Sequence, residues 1–233
     1  MITDKQRNQI AWEAARLVYG KQEEDVQRAK LKVARQICQG PIRPRDLPTN
    51  REIREHLRAL LVEESEASSP AASVSATHLD RLHYFAILMA PLEEVRQNPE
   101  THPEGDVLYH SLQVFELARD RLPYDEEFLL AALLHDVGKA IDRRDHITAG
   151  LHALEGFISP RTAWLIEHHT DANNLRKGTI GARTRRRLEA SENFDELMIL
   201  SECDRDGRCQ GVLVPDVEDA LEYIRGLADE HGE

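Results

Sequence analysis

Seven of the chain's eleven histidines fall between residues 102 and 169: His102, His110, His135, His146, His152, His168 and His169. Imidazole titrates near neutrality and is the commonest side-chain metal ligand. Two carboxylates join them. His135 and Asp136 end the apolar run FLLAALL at 128–134. Asp136 therefore faces a large desolvation cost unless a cation or donor compensates it. Asp204 follows Leu197 and Leu200 at offsets of seven and four, on the same helical face, and is a second candidate buried anion. Two buried carboxylates among several imidazoles describe a mixed nitrogen and oxygen site for divalent transition metals.

These side chains need rigid elements to hold them, and the sequence supplies helices. Asp106 to Leu122 has helical periodicity and is stopped by Pro123. Asp125 to His135 opens with three acids, which suit a helix N-terminus, and continues apolar on all sides, as a central buried helix must. Ser159-Pro160 starts another helix, and Asn193–Cys203 and Asp216–Leu227 complete the set. Nearer the start, Ile10, Ala14, Leu17 and Val18 share one face, as do Ala29, Val33 and Ile37. Thr49 and Glu52 form a capping-box pair before the stripe Ile53, Leu57, Leu60 and Leu61. No segment sustains two-residue alternation, so the fold class is all-α.

The chain has 233 residues, 41% of them apolar and only 5% aromatic, so its core must be mostly aliphatic. Its net charge of −12 excludes a general polyanion binder. The charge is uneven: residues 1–65 hold 13 Lys and Arg against 10 Asp and Glu, and the rest 17 against 32. A Ser- and Ala-rich stretch without periodicity follows the basic part. The expected division is a helical N-terminal module at 1–64, a linker at 65–78 and a larger acidic domain at 79–233. The module's apolar stripes pack against that domain or across a homodimer. Its basic second half allows a weak RNA-backbone contact. There is no run of 18 apolar residues and no apolar leader, and Cys38, Cys203 and Cys209 build no disulfide framework. The expected location is the cytoplasm, with no membrane span. Cys203 reads as a small core residue.

The order His110, His135-Asp136, Asp204, with Val137-Gly138-Lys139 behind the doublet, resembles the HD superfamily of metal-dependent phosphohydrolases. The stretch HPEGDVLYH at 102–110 is similar to the HD domains of some bacterial tRNA nucleotidyltransferases, and LLHDVGKA at 133–140 to the central family motif. The resemblance covers about 78–210. It implies an HD-type helical bundle with His110, His135, Asp136 and Asp204 as metal ligands. His146, four residues before Gly150, and His168-His169-Thr170 resemble the added motifs of dinuclear members, the HD-GYP type and the diadenosine tetraphosphate hydrolases. The resemblance thus adds His146, His168 and His169 to the ligand set. The Gly-Tyr-Pro signature is missing after His169, where Asp171-Ala-Asn-Asn stands. Asp106 matches an acid that is a ligand in trinuclear relatives. Here it is a ligand, an acceptor for an imidazole N–H, or a helix cap. His102 is read as orienting the loop before His110, and His152 as no ligand.

What the resemblance implies is a phosphohydrolase that uses metal-activated water on a phosphoester or phosphoanhydride of a nucleotide-type substrate. Asp136 would bridge two cations. Lys139 would reach the phosphate, and Arg183, in the basic run 176–187, would bind the anionic substrate. So many imidazoles suit Fe or Mn, with Co, Ni or Mg as further candidates. Two alternatives share the ligands: a di-iron oxygenase of HD type, and a ligand-binding HD module without catalysis.

Overall fold

A computed structural model of the chain describes residues 3–20, 22–23, 26–38, 42–43, 46–49, 52–53, 55–60 and 73–231. Contacts divide the chain into two compact units, Met1–Ile87 and Leu88–Glu233. Among the described residues the regular structure is helical, with one isolated bridge between Arg96 and Asp106. No described helix is long and apolar enough to cross a membrane.

The first unit opens with α1, Asp4–Tyr19, started by a capping box in which Thr3 and Gln6 satisfy each other's backbone N–H. It buries Ile10, Ala14, Ala15 and Val18 and packs on α2, Val26–Ile37, which buries Ala29, Val33 and Ala34. Residues 52–53 and 55–60 are helical, with Ile53 and Leu57 buried. The expected capping pair is present: Glu52 N donates to Thr49 Oγ1 at 3.2 Å, and Thr49 N to Glu52 Oε2 at 2.6 Å. Helix α3, Ser73–Met89, takes in residues 73–78, which the sequence assigned to a linker. Its apolar half, Leu82 to Met89, supplies a nucleus, and extending a formed helix through Ser and Ala costs little. Residues 65–72 of the expected linker lie outside the described residues.

The second unit is built around α5, Glu126–Leu134, in which every residue from Phe128 to Leu134 is buried. It touches α4 (Val107–Arg121), α7 (Pro160–Arg176), α9 (Phe194–Asp206) and α10 (Val217–His231). Helix α8, Ala182–Glu189, joins α7 to α9. Each of α4, α5 and α7 is started by a side chain that accepts a backbone N–H: Asp106, Asp125 and Ser159. Arg161 binds both oxygens of Asp125, at 2.6 and 2.7 Å, and so ties the starts of α5 and α7 together. With their starts pinned, the two helices deliver their later residues to a common place.

Candidate metal centre

His135 caps the C-terminal end of α5, and Asp136 begins the 3₁₀ turn Val137–Ala140. The switch of helix type ends the apolar helix on two polar residues that nonetheless stay inside, each 2% exposed. Asp145 caps α6, His146–Leu154, which lies against that turn. The contact is tight because both partners are glycine. A Cβ built on Gly138 would stand 1.8 Å from the His146 carbonyl oxygen and 2.6 Å from the Gly150 nitrogen. The Gly of the HDVGK stretch and the Gly four residues after His146 are thus two sides of one backbone contact. That contact sets His146 Nε2 3.6 Å from Asp136 Oδ1. His169, on α7, brings its Nε2 within 3.9 Å of the same oxygen.

The other Asp136 oxygen faces elsewhere. Oδ2 lies 3.3 Å from His135 Nε2 and accepts from Lys139 Nζ at 2.5 Å, while Lys139 also donates to Gln97 Oε1 at 2.9 Å. Beyond His135 stand His110 on α4 and Asp204 on α9, with His110 Nε2 3.0 Å from Asp204 Oδ1. Gly207 permits this approach: a Cβ there would come 2.9 Å from Val114 of α4. Asn173 donates to Asp204 Oδ2 at 2.5 Å, and Arg208 to Oδ1 at 3.0 Å. Two groups of atoms around Asp136 result, His110, His135 and Asp204, and Asp136, His146 and His169, each close enough to hold one ion; a third such group, His102, Glu104 and His110, lies behind His110.

The imidazoles are oriented alike. His135 Nδ1 faces the Ala132 carbonyl at 2.9 Å and His169 Nδ1 the Ile166 carbonyl at 2.7 Å. His110 Nδ1 faces the Gly207 carbonyl at 3.1 Å and Glu104 Oε1 at 3.0 Å. Carbonyls and carboxylates only accept, so Nδ1 carries the proton in each and Nε2 is aimed inward, the arrangement metal-binding histidines adopt. His135 Nε2 and Asp136 Oδ1 are buried with no hydrogen-bond partner among the described residues. An orphaned nitrogen lone pair in one group and an orphaned carboxylate oxygen in the other fit divalent cations.

Electrostatics gives the unloaded cluster its proton inventory. Burial would lower the His110 pKa, but the Asp204 and Glu104 carboxylates outweigh it and push it up to about 9. Burial, with His135 adding to it, pushes His169 down to about 4. Asp136 stays well below the ordinary carboxylate range because its burial is outweighed by His135, Lys139 and His169. Asp204 does so through His110, His135 and Arg208. A metal ion must displace the proton that His110 holds. Its uptake is expected to release about one proton per chain near pH 7.5, and its apparent affinity to rise ~tenfold per pH unit before levelling, with the levelling set by the His110 value of about 9. Calorimetric titration in buffers of different ionisation enthalpy checks this. Proton-neutral uptake would remove His110 from the ligand set.

Six of the residues expected as ligands come together here: His110, His135, Asp136, His146, His169 and Asp204. His168 does not join them. Adjacent helical residues point about 100° apart, so His168 turns to Trp164, ring centroids 4.8 Å apart, and to Asp171 Oδ2 at 3.3 Å. Lys139 is in the cluster. Arg183 is exposed on α8 and makes no polar contact with any of these residues. Asp106 spends its carboxylate on the start of α4, accepting from Tyr109 N at 2.8 Å, and on Arg96. The acid against an imidazole is instead Glu104, which sequence reasoning passed over because a Glu between Pro and Gly reads as an exposed turn residue. Gly105, at φ +107°, turns the chain so that the Glu points inward. Asn173 and Arg208 were missed too, although each lies four residues beyond a predicted ligand, one helical turn away. Cys203 is buried in the core, as expected, and its thiol is pushed up to about 11 by burial.

Residues 107–208 match the family model of the HD domain. The matched span contains all six clustered residues, Lys139 and Arg208, and leaves out Gln97, His102 and Glu104.

Proposed function

From the cluster carried by residues 107–208, the span that matches the HD domain model, we propose that the protein is a dinuclear, metal-dependent phosphohydrolase of that family. Its substrate is a phosphoester or phosphoanhydride of nucleotide type. The observation that carries this reading is the pair of Asp136 oxygens, one turned to His146 and His169 and the other to His135, so that one carboxylate would serve two ions bound there. Divalent ions held there supply Lewis acidity and a water acidic enough to lose its proton near neutral pH. Iron or manganese suits four imidazoles and two carboxylates.

Charge supports an anionic substrate. Without metal, Glu104, Asp136 and Asp204 face Lys139, Arg208 and protonated His110, and the cluster balances itself. Two divalent ions, with loss of the His110 proton, take it to about +3. With metals bound, Lys139 would no longer be needed to compensate Asp136 and its ammonium, which donates to Gln97 Oε1, would be free to meet a phosphoryl oxygen. Arg208 stands at the other end of the cluster, against Asp204.

The deciding experiment is elemental analysis of protein purified without chelators, with phosphate release and oxygen uptake measured side by side. About two equivalents of Fe or Mn with hydrolysis of a nucleotide phosphodiester supports the proposal. Oxygen uptake with a mixed-valent iron signal would assign the same ligands to oxidation. Metal without turnover would leave a binding module. Within the hydrolase reading, Lys139→Met is expected to lower kcat by about 10²–10³-fold while both metals stay. Loss of metal instead would mean that Lys139 only holds Asp136.

A further inference from the structure

Glu104 stands outside the matched span, and its side chain is fully enclosed, 0% exposed. It sits in the turn before α4. That turn is held by the Gln97 N–H to the Gly105 carbonyl at 2.9 Å and the Val107 N–H to the Val95 carbonyl at 3.1 Å. One oxygen, Oε1, faces two imidazoles: His102 Nδ1 at 2.9 Å and His110 Nδ1 at 3.0 Å. The other oxygen is buried and has no hydrogen-bond partner among the described residues. Burying an incompletely satisfied carboxylate is costly. The packing of the turn gives no reason for it, since Gln or Met would fill the same space.

Its neighbour supplies the reason. His135 and His169 hold their Nδ1 protons on neutral carbonyls of their own helices, three residues back. Of these three imidazoles, His110 alone also has an anion behind it, beside the Gly207 carbonyl. A carboxylate behind an imidazole fixes the tautomer that frees Nε2 and makes that nitrogen a better donor. We propose that Glu104 is the positioning residue of the His110, His135 and Asp204 ion position, strengthening His110 as a ligand through Nδ1, with His102 holding Glu104 in place. This rests on the metal-binding reading above. It adds a pairing between the turn at 102–105 and the ion that neither the motif nor the family match contains.

The test is metal titration of the full-length protein with Mn(II) and with Co(II), read by stoichiometry and by the Co(II) visible spectrum. Glu104→Gln keeps the shape and an acceptor oxygen but removes the charge. It is expected to weaken one of the two binding steps by about 10–100-fold and leave the other within about twofold. His102→Ala is expected to weaken the same step by a smaller factor. Thermal melting of the metal-free variants, expected within a few degrees of wild type, separates this from misfolding. Wild-type affinity in a folded Glu104→Gln would overturn the proposal and leave the metal site standing. So would loss of a third equivalent, which would make Glu104 itself a ligand. A wild-type protein that takes up no metal would overturn both readings.

Discussion

Replacing Asp136 with alanine is expected to empty both ion positions at once, taking metal content from about two equivalents to near zero and activity down by about 10³-fold or more. The reason is geometric. The other ligands belong to one group or the other, whereas Asp136 places Oδ1 toward His146 and His169 and Oδ2 toward His135. Its removal leaves two sets of imidazoles with no shared anion. The cost to folding should be far smaller, about 1–2 kcal/mol, because the partner left behind, Lys139, is half-buried and can turn its ammonium to water. Elemental analysis and urea denaturation of the same preparation separate the two effects. A variant that keeps one tightly held ion would mean that the groups are independent, and one that keeps both would exclude Asp136 as a ligand.

Gly138→Ala is expected to act on only half of the centre. The added methyl would meet the His146 carbonyl oxygen, the His146 carbonyl carbon and the Gly150 nitrogen, all backbone, with no flexible side chain to yield. Either the fold loses about 1–3 kcal/mol or α6 moves away from the turn. In the second case His146 leaves Asp136 Oδ1, while His110, His135 and Asp204 are held by α4, α5 and α9 and stay in place. Metal content should fall to about one equivalent, matching His146→Ala. Gly150→Ala is milder, since its methyl would sit 3.2 Å from the Gly138 nitrogen. Two equivalents in folded Gly138→Ala would show that the clash is absorbed without moving His146.

Much of the centre was legible in the sequence because it depends on local chemistry. An apolar helix that ends in His-Asp must bury charge, and buried charge needs a counterpart. Helical offsets put Asp204 on the face of Leu197 and Leu200, and both the all-α class and the starts of α4, α5 and α7 follow from periodicity and caps. What stayed hidden was whatever depends on how one element meets another. Which of His168 and His169 faces inward is a question of helix rotation, and only packing against α5 and α9 answers it. Composition suggests an anion-binding role for Arg183, but that it lies exposed on α8 is a matter of packing.

Glu104 makes the same point from the other side. Nothing in HPEGD distinguishes a buried acid from an exposed one until Gly105 turns the chain and His110 arrives from α4. Residue types, the helices that carry them and the charge that must be neutralised can all be read from the chain, since they are set within a few turns of it. Tertiary structure decided which side chains converge, that one carboxylate faces two groups of imidazoles, and which acid stands behind which histidine. Those depend on ångström-scale approaches between helices, and local propensity carries no information about them.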